Sequence, residues 1–577
     1  MFRLQANTIP EQKTQTKKSG NMITDNFIRL FESSLKNYWD QKSMTDYIEK
    51  RTVTYGEVAK DVAHLHLLFQ AIGFEKGDKV ALIGKNGINW CEVYMATVTY
   101  GGVIVPILQE FNPGDIQHII NHSDARLLFI SENIWDNINE ENLLYVEGVY
   151  DLASLKLICS RNNPKVDKVE PLREKIFNDK YPQGFTAADV LYPTIPNTEL
   201  AVISYTSGTT GYSKGVMLSG NALAGNIQFA LESGQIVRGG RQLAFLPMAH
   251  VFGCTYDFLS AFCGGTHTTY LGKIPSPKIL VKAMSEVRPN VIFTVPLVIE
   301  KIYTKQIRPM LETRGMKWAL SIPLIDSQVL ATINKKMSEA FGGEFTQIII
   351  GGAAMNPEAE AFFKRIGFRF TVGYGMTECA PLISYTNWTD YKTYSVGKIL
   401  PKMQVRIDSN DPHNEVGEIL VRGEHVMMGY YKNAEATASI FDKDGWMHTG
   451  DMGTVDFDGT IYIKGRNKNM LLGPNGQNIY PEEIEAKLNN MPYVLESLVL
   501  QMPDNRLKAL VVPDMSSVDA AKMSHAEVIA AMENNRKELN KITASYESIS
   551  VIELHPTEFA KTPKKSIKRF LYTNLSK

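Results

Sequence analysis

The stretch "SYTSGTTGYSKGVMLSG", residues 204–220, combines small hydroxyl residues and glycines with a single lysine, Lys214. It overlaps the apolar run "ELAVISY", residues 199–205, which is typical of a buried strand. Glycines let backbone amides turn towards a ligand, hydroxyls add donors and a lysine adds positive charge, so the stretch predicts a phosphate-binding loop after a strand. The spacing from Gly208 to Lys214 does not fit the G-x-x-x-x-G-K-[ST] pattern of conventional nucleotide triphosphatases. A flexible turn without a ligand is the alternative for this stretch taken alone.

Other parts of the chain also place small or turn-forming residues after an apolar run. Examples are "KVALIGKNG", "ARLLFIS", "VIFTVP" and "FTQIIIGGAAM", which alternate with amphipathic helical patterns. This alternation predicts an α/β fold, in which ligands bind beyond the carboxyl ends of parallel strands. From about Gly397, short alternating strands predict an antiparallel sheet or barrel, and "NIYPEEIEAKLNNMPYV" begins a smaller α+β unit.

Composition narrows the function classes. A chain of 577 residues has room for roughly three or four structural units of about 150 residues. With 61 basic and 62 acidic side chains, the charge balance disfavours a nucleic-acid-binding protein. The five cysteines are scattered, without a CxxC pair or zinc-like spacing, which favours a reducing cytoplasm.

The sequence gives no strong membrane signal. Residues 1–21 lack the apolar core of a signal peptide and predict a flexible leader. The weakly charged run 242–272 is interrupted by Pro247, His250 and Asp257, so it makes a poor membrane span. The expected location is the cytoplasm; peripheral contact with the inner membrane and a homodimer both stay open.

Five motifs follow one another in a fixed order along the chain. They are "YTSGTTGYSKG" (205–215), "GYGMTE" (373–378), "GWMHTGD" (445–451), "GRNKNM" (465–470) and "KTPKKSIKR" (561–569). Together they resemble the adenylate-forming superfamily, which includes acyl-CoA synthetases, luciferases and the adenylation domains of peptide synthetases. The contexts "FLPMAHVFG", "IFTVPLVIEKIY" and "NGQNIYPEEIE" most resemble the bacterial long-chain fatty-acid-CoA ligases. The resemblance covers the chain from about Met22 to Phe570.

This resemblance implies a specific architecture. The α/β fold would have a large N-terminal domain, residues 22–464, made of two doubly wound α/β subdomains and a small β-barrel-like subdomain. Residues 465–470 would form a hinge, followed by a small mobile α+β C-terminal domain at 471–577. The large domain would bind AMP and the acyl group.

The resemblance also implies a two-step reaction with ATP, Mg²⁺ and coenzyme A. A fatty carboxylate would attack the α-phosphate of ATP to give acyl-AMP and pyrophosphate, and coenzyme A would then displace AMP. A carrier-protein thiol as acceptor is one alternative, and an adenylate-binding protein with a degenerate catalytic lysine is another. The expected partners are these small molecules.

Residue roles carry over from the motifs. The resemblance places Lys214 of the mobile loop near the ATP phosphates, Tyr374 on the adenine, Thr377 on the α-phosphate, and Asp451 with Arg466 on the ribose. Glu378 would bind Mg²⁺, a cation that prefers carboxylate oxygen, with Thr206 as a second ligand. The remaining nucleotide-binding residues would be Thr206, Ser207, Gly208, Thr209, Thr210, Gly351, Gly352, Ala353, Gly375 and Met376. For residues 351–355 a plain strand-to-helix turn is an equal alternative.

The catalytic assignments are His250, Lys468, Lys565 and Lys564. His250 would gate or position the carboxylate, although a lone histidine between apolar residues is often an ordinary packed side chain. Its buried-looking neighbours would form an acyl tunnel or ordinary core: Phe245, Val251, Phe252, Tyr256, Phe258 and Phe262. Lys468 matches the hinge position. A loop one residue longer than the commoner pattern follows it, "LLGPNGQN", which puts the local loop contacts in doubt.

The terminal motif departs from the family at its key position. Registering Thr562, Pro563 and Ile567 on the pattern T-P-x-x-K-I puts Ser566 where the family has its catalytic lysine. A hydroxyl cannot offset the repulsion between a carboxylate and a triphosphate. Lys565 is therefore predicted to supply the ammonium group. Lys564 is the second choice, followed by Lys568 or a weakened first step.

Overall fold

The computed structural model describes residues 25–206, 213–272, 276–473, 477–562 and 566–576. The predicted leader, residues 1–21, lies outside these ranges. Strands and helices alternate along most of the described chain. The strands are β1 Lys42–Asp46, β2 Thr52–Thr54, β3 Lys79–Ile83, β4 Val103–Ile107, β5 Ala125–Ile130, β6 Gly148–Asp151, β7 Leu157–Ser160, β8 Leu200–Thr206, β9 Lys214–Ser219, β10 Arg241–Ala244, β11 His267–Tyr270, β12 Val291–Thr294, β13 Gln347–Ile350, β14 Phe370–Val372, β15 Tyr374–Gly375, β16 Leu382–Tyr385, β17 Lys398–Ile399, β18 Met403–Asp408, β19 Gly417–Gly423, β20 Gly429–Tyr430, β21 Met447–Val455, β22 Ile461–Arg466, β23 Leu471–Leu472, β24 Asn478–Ile479, β25 Val494–Gln501, β26 Leu507–Pro513 and β27 Ile549–Leu554.

The helices fill the connections between these strands. They are α1 Phe27–Asn37, α2 Tyr55–Ile72, α3 Ile88–Tyr100, α4 Pro113–His122, α5 Glu132–Trp135, α6 Pro164–Val169, α7 Arg173–Lys180, α8 Gly220–Glu232, α9 Val251–Gly253, α10 Ser260–Cys263, α11 Pro277–Val287, α12 Pro296–Ile302, α13 Arg308–Leu311, α14 Arg314–Leu320, α15 Pro323–Ala340, α16 Pro357–Arg365, α17 Ala434–Ile440, α18 Pro481–Leu488, α19 Met515–Ala520 and α20 His525–Ile542. Two π-helical segments, Cys254–Leu259 and Tyr303–Ile307, interrupt this set. Within the described ranges, no helix is both long and apolar enough to cross a membrane.

The largest sheet has eight strands in the order β20-β9-β8-β4-β3-β5-β6-β7. Its central pairs, from β8 through β4, β3 and β5 to β6, are parallel. Successive residues of β3 face two different cores: Val80 packs into one and Ala81 into the other. Burial on both faces explains why the apolar runs of these strands are continuous rather than alternating.

A second set of parallel strands forms the other α/β layer. Strands β10, β11 and β1 pair in parallel, with β2 antiparallel at the edge, and β12, β13 and β14 form a parallel sheet beside them. The Asn290 amide donates to the Arg241 carbonyl at 2.8 Å, which brings β12 next to β10. The predicted α/β class is therefore confirmed.

Antiparallel strands follow from β15 to β22, as the short alternating pattern predicted. Strands β15, β16 and β17 form one sheet, and β18, β19, β21 and β22 form another. The register pairs Asp451 of β21 with Arg466 of β22. This pairing places two of the predicted nucleotide-binding residues side by side.

The last part of the chain builds its own core. Buried residues from Ile479 to Ile549 form a cluster separate from the large one, on one face of the sheet β25-β26-β27. This unit contacts the rest of the protein through polar groups: the Lys305 ammonium lies 2.9 Å from Asp514, and Asn356 donates to Asn490. The predicted boundaries and the mobility of this unit stay predictions.

Candidate active site

The predicted phosphate loop begins at the carboxyl end of β8. Thr206, the last residue of β8, pairs with Lys214, the first residue of β9. A Cβ on Gly215 would lie 2.9 Å from a methyl carbon of Ile203, so this close approach of the two strands requires glycine. Ser207, Gly208, Thr209 and Thr210 lie outside the described residues.

Lys214 and Glu378 meet through an aromatic residue, Tyr430. The Lys214 ammonium lies 4.9 Å from the centre of the Tyr430 ring, within range of a cation–π interaction. The Tyr430 hydroxyl donates to Glu378 Oε1 at 2.9 Å. Burial raises the Tyr430 pKa, and the neighbouring Glu378 raises it further. The predicted phosphate-binding lysine and the predicted magnesium ligand therefore share one neighbour.

Asp451 lies buried at the start of the pair β21–β22, with 5% of its surface exposed. Its Oδ2 accepts a hydrogen bond from the Tyr374 hydroxyl at 2.7 Å, and Arg466 Nε lies 3.0 Å from Oδ1. Burial raises the Asp451 pKa, whereas Arg466 and Tyr374 lower it. The Arg466 side chain remains 65% exposed. A buried carboxylate can accept hydrogen bonds from the hydroxyl groups of a neutral polyol. The exposed guanidinium beside it can bind an anion next to that polyol.

Tyr374 and Glu378 lie on one short segment that connects these two clusters. Within it, Gly375 has no room for a side chain, because an added Cβ would lie 2.3 Å from the Pro381 carbonyl oxygen. Thr377 is buried and Met376 half-buried. The five residues from Tyr374 to Glu378 thus tie the Asp451 cluster to the Lys214 cluster.

The glycine-rich stretch 351–353 lies at the same edge as this segment. It follows β13, and Tyr374 follows β14, the parallel neighbour of β13. Gly352 has φ near +90°, which favours glycine, and both Gly352 and Ala353 are exposed. An added Cβ on Gly351 would lie 3.2 Å from the Phe252 ring. The small residues therefore leave an open backbone surface between Phe252 and the Tyr374 segment.

His250 caps the helical segment that starts with Val251. Its Nδ1 accepts a hydrogen bond from the Phe252 amide at 3.2 Å. The imidazole is half-buried and lies two residues from Phe252, the ring that faces Gly351. This placement brings His250 to the edge of the site, and its role there stays a prediction.

The predicted tunnel residues are all buried in the large core. They are Phe245, Val251, Phe252, Tyr256, Phe258 and Phe262. Phe262 packs on Tyr55 at 4.6 Å between ring centres, and Tyr256 stacks on Phe293 at 4.9 Å. These contacts are those of ordinary core packing, and the tunnel interpretation stays a prediction.

Sequence reasoning did not identify the polar groups that are buried in and just after the π-helical segment Cys254–Leu259. Tyr256 Oη, Asp257 Oδ2 and, at the start of α10, Ser260 Oγ have no hydrogen-bond partner among the described residues. Burial raises the Asp257 pKa to about 8, which Gln242 and the Leu246 amide partly oppose. The only feature of the sequence that pointed to Asp257 was the presence of an acidic residue inside an apolar run, which by itself indicates only an interruption of that run.

Tyr430 also contacts the candidate site and was not identified by the motifs. It belongs to the two-residue strand β20, which pairs with β9 far away in sequence. Gly429 before it has φ near +136° and is packed against Thr437, so this position requires glycine. The only feature of the sequence that pointed to Tyr430 was the dipeptide Gly-Tyr after an apolar run.

Lys468 is exposed in a 3₁₀ turn, Asn467–Asn469, directly after β22. The next residue, Asn469, donates to Glu482 at the start of α18 at 2.6 Å. The Lys464 ammonium lies 3.4 Å from Glu483 of the same helix. The predicted hinge therefore connects Arg466, the partner of Asp451, directly to the C-terminal unit.

The terminal motif is held within that unit at both ends. The Thr562 amide donates to the Ser566 carbonyl at 2.8 Å, and Lys561 lies 2.8 Å from Glu496. Arg569 forms an ion pair with Glu485. Ser566 is exposed. Lys564 and Lys565 lie outside the described residues.

Comparison with known proteins agrees with this arrangement. The model of the AMP-binding enzyme family matches residues 31–431. The long-chain-fatty-acid–CoA ligase ACSBG1 of Mus musculus is 27% identical over 465 residues, which are 75% of this chain and 63% of that protein. The long-chain-fatty-acid–CoA ligase FadD15 of Mycobacterium tuberculosis is 25% identical over 558 residues, 90% of each chain. This chain thus matches somewhat less than two thirds of the length of the mouse relative.

Solved structures show the same fold. ATP-bound MatB from Rhodopseudomonas palustris superposes with a TM-score of 0.73, at 21% identity, over 96% of this chain and all of that one. At this identity the likeness establishes the fold of the chain and leaves its substrate open.

Proposed function

The chain belongs to the family of AMP-binding enzymes, and on this basis we propose that it is an AMP-forming ligase that joins a fatty acid to coenzyme A. In the first step a carboxylate oxygen attacks the α-phosphorus of ATP, and the bond to pyrophosphate breaks. In the second, the sulfur of coenzyme A attacks the acyl carbon, the bond to AMP breaks and the thiol proton goes to solvent. The products are acyl-CoA, AMP and pyrophosphate.

One observation carries the proposal: a continuous series of contacts joins four of the residues assigned to the nucleotide and its metal. It runs from Lys214 through Tyr430 to Glu378, along the segment to Tyr374, and on to Asp451. A nucleoside triphosphate has a polyanionic end and a ribose end. The two ends of this series offer a cation and a buried carboxylate, in that order.

Asp451 would accept hydrogen bonds from the ribose hydroxyls. Its two oxygens each hold one partner already, Tyr374 and Arg466, so its orientation is fixed before the nucleotide binds. The exposed backbone of Gly352 and Ala353, next to the buried Gly351, would face the adenine. Preorganised groups of this kind stabilise a bound state without needing to rearrange.

Glu378 and Thr206 would hold Mg²⁺ together with the phosphates. The donor set fits, because Mg²⁺ in such sites is bound by one or two protein oxygens plus phosphate oxygens and water. Among the described residues, no three or more His, Cys, Asp or Glu side chains form a metal cage, which also suits a cation held mainly by its nucleotide. The bound ion would neutralise charge on the phosphates.

The carboxylate end of the reaction would use His250, Lys565 and Lys564. His250 borders the exposed glycine backbone through Phe252, where it would position the incoming acid. A lysine from the terminal motif would neutralise charge between the carboxylate and the triphosphate. Lys468 would serve the second step by allowing the C-terminal unit to turn.

A long-chain fatty acid is the proposed substrate. The names of the curated relatives support it, as does the apolar and aromatic surrounding of His250. Ser566 in place of the family lysine favours one alternative, an adenylate-binding protein with a weakened first step. Transfer to a carrier-protein thiol is the other alternative.

Two assays separate these functions. We expect palmitate-dependent exchange of pyrophosphate into ATP, and formation of palmitoyl-CoA when coenzyme A is added. Exchange without transfer to coenzyme A would favour a carrier-protein acceptor. Absence of exchange with fatty acids of every length, while ATP still binds, would reject the ligase.

Replacing Glu378 by glutamine should raise the Mg²⁺ concentration needed for half-maximal exchange. The amide keeps the size and still accepts from Tyr430, but a neutral oxygen is a weaker ligand for a hard cation. A shift of roughly tenfold is expected. The measurement is a Mg²⁺ titration of the exchange rate, with the exposed Glu435 changed to glutamine as the control. An unchanged titration curve would show that Glu378 is not a ligand of the Mg²⁺ ion.

Replacing Lys468 by proline should slow thioester formation selectively. Proline fixes φ and removes a backbone donor within the turn that links the two units. The second step should fall at least roughly tenfold, and the first step should change little. Both rates are measured in single turnovers, the second with supplied acyl-AMP. Proline at Lys443, in the exposed turn from Asp442 to Gly445, is the matched control. An equal loss in both steps would contradict a hinge role.

A further inference from the structure

Helix α14 and its C-terminal cap residue, Ser321, turn an unusual set of side chains towards solvent. Arg314, Lys317, Trp318 and Ser321 are all exposed, and their spacing of three, one and three residues places them on one side of the helix. We call these four residues the Trp318 face. The residues on the other side, Met316, Ala319 and Leu320, are half-buried against the protein. The helix therefore has an inner, half-buried side and an outer, exposed side, and its largest apolar side chain, Trp318, lies on the exposed side.

Trp318 is exceptional among the tryptophans of this chain. All six lie in the described ranges, and Trp318 is the one that is classed as exposed, with 64% of its surface accessible. Trp446, by comparison, has the guanidinium groups of Arg406 and Arg422 within 4.9 and 4.6 Å of its ring centre. No residue of α13 or α14 is buried. The Trp318 ring therefore contributes nothing to a core.

The Trp318 face is positively charged. Neither Arg314 nor Lys317 has an ion-pair partner among the described residues, whereas Lys305 and Arg308 are paired with Asp514 and Glu312. Residues 296–325 carry five basic and two acidic side chains, in a chain whose net charge is −1. A local positive excess within a neutral protein indicates an anionic partner for this surface.

We propose that the Trp318 face binds the surface of a bilayer that contains anionic phospholipid. Tryptophan is enriched at the level of the lipid headgroups, because its ring is apolar and its N–H can hydrogen-bond there. Arginine and lysine beside it are attracted to anionic headgroups. A short helix with this composition lies in the plane of the interface and does not cross the membrane.

The charge of the Trp318 face argues against a second copy of the chain as its occupant. In a symmetric dimer the same surface meets itself. Arg314 and Lys317 of one copy would then face the same cations of the other, which is unfavourable at an interface. An anionic lipid surface has the opposite charge and accepts the ring as well.

Helical segments link the candidate site to the face along the chain. Helix α12 begins at Pro296, directly after β12, and the Thr294 carbonyl of β12 accepts from the Gly351 amide at 3.1 Å. Helix α13 follows, and then α14, which carries Trp318. The proposal itself does not depend on which acid the enzyme uses.

Sedimentation with lipid vesicles tests the proposal. We expect the full-length protein to sediment with vesicles of phosphatidylcholine and phosphatidylglycerol at 3:1, and to remain in solution with phosphatidylcholine alone. Changing Arg314 and Lys317 together to glutamine should weaken vesicle binding about 25-fold, from about fivefold for each cation. Trp318→Ala should weaken it by roughly tenfold.

Phe457 provides the matched control, because it is an aromatic residue with 89% of its surface exposed in a turn far along the chain. Phe457→Ala should bind vesicles as the unchanged protein does. Vesicles of brominated lipid should quench the fluorescence of the unchanged protein more than that of Trp318→Phe, since only a ring in the bilayer is quenched.

Three results would overturn the proposal. They are equal binding to both vesicle types, equal binding by all variants, and a dimer in solution that Trp318→Ala converts to monomer. Normal melting temperatures of the variants show that any loss of binding is not caused by unfolding.

Discussion

Replacing Lys565 by alanine is expected to slow the formation of acyl-AMP by at least about 100-fold. Removing a preorganised positive group from developing charge in a water-poor site has an effect of this size in other enzymes. Thioester formation from supplied acyl-AMP should stay near normal, because the carboxylate and triphosphate no longer repel each other at that stage. Single-turnover measurements of each step, with and without coenzyme A, provide the comparison.

The structure pairs the other cations of the terminal motif with acidic residues. Lys561 is held between Glu496 and Glu558, at 2.8 and 3.0 Å, and Arg569 is paired with Glu485. These cations are neutralised within the C-terminal unit. Lys564, Lys565 and Lys568 remain as candidates, and Lys568 has no ion-pair partner among the described residues.

Matched variants decide among the three candidates. Lys564→Ala and Lys568→Ala are expected to retain most of the first step. In the Lys565→Ala background, Ser566→Lys would restore an ammonium at the position where the family carries it, and should recover adenylation. Small and similar losses for all three lysines, with no recovery, would show that the terminal motif is a solvated basic segment.

The motif residues were assigned through the family resemblance, and several of them follow apolar runs. Parallel strands end at a common edge, and the structure brings Gly351 and Tyr374, which follow the paired strands β13 and β14, to that edge. The register of β21 and β22, which pairs Asp451 with Arg466, also agrees with the shared ribose assignment. Local patterns sufficed here because each residue lies within a few positions of a strand.

Tyr430 could not be predicted in this way. Its contact with Glu378 depends on β20 pairing with β9, more than 200 residues earlier in the chain. A two-residue strand has too little sequence to show a periodicity of two. The partners of Lys561 and Arg569 were hidden for the same reason, since a run of basic residues does not reveal which acidic residues lie opposite.

The π-helical segment shows a different limit of sequence patterns. In the sequence Asp257 only interrupts a weakly charged run, and in the structure it is buried with Gln242 as its side-chain donor at 2.7 Å. Burial raises its pKa to about 8, which keeps the carboxyl neutral at lower pH. Rules that place charged residues outside assume the charged form, and they fail where burial removes the charge.

Replacing Asp451 by alanine should lower kcat/KM for ATP by about 100-fold or more. The expectation follows from the loss of two charge-assisted hydrogen bonds to the ribose, at roughly 1.5 kcal/mol each. The substitution also leaves the buried Tyr374 hydroxyl without its acceptor, which costs about 1–3 kcal/mol of stability. The melting temperature must therefore be measured beside the kinetics. Asp456→Ala, which removes an exposed partner of Lys392, is the control and should affect neither by much.

The nucleotide itself separates a ribose contact from a general structural role. The unchanged enzyme should prefer ATP over 2′-deoxy-ATP, because the latter lacks one of the hydroxyls from which Asp451 would accept a hydrogen bond. In Asp451→Ala this preference should fall towards unity, since neither nucleotide then has the partner. A variant that is merely distorted would lose activity with both nucleotides and keep the ratio between them. A preserved ratio would thus show that Asp451 does not contact the ribose, whatever the absolute loss of rate.

The preference of Asp451→Asn for ATP should lie between those of the unchanged enzyme and Asp451→Ala. The amide keeps one acceptor oxygen for Tyr374 or the ribose but gives up the charge that strengthens both bonds.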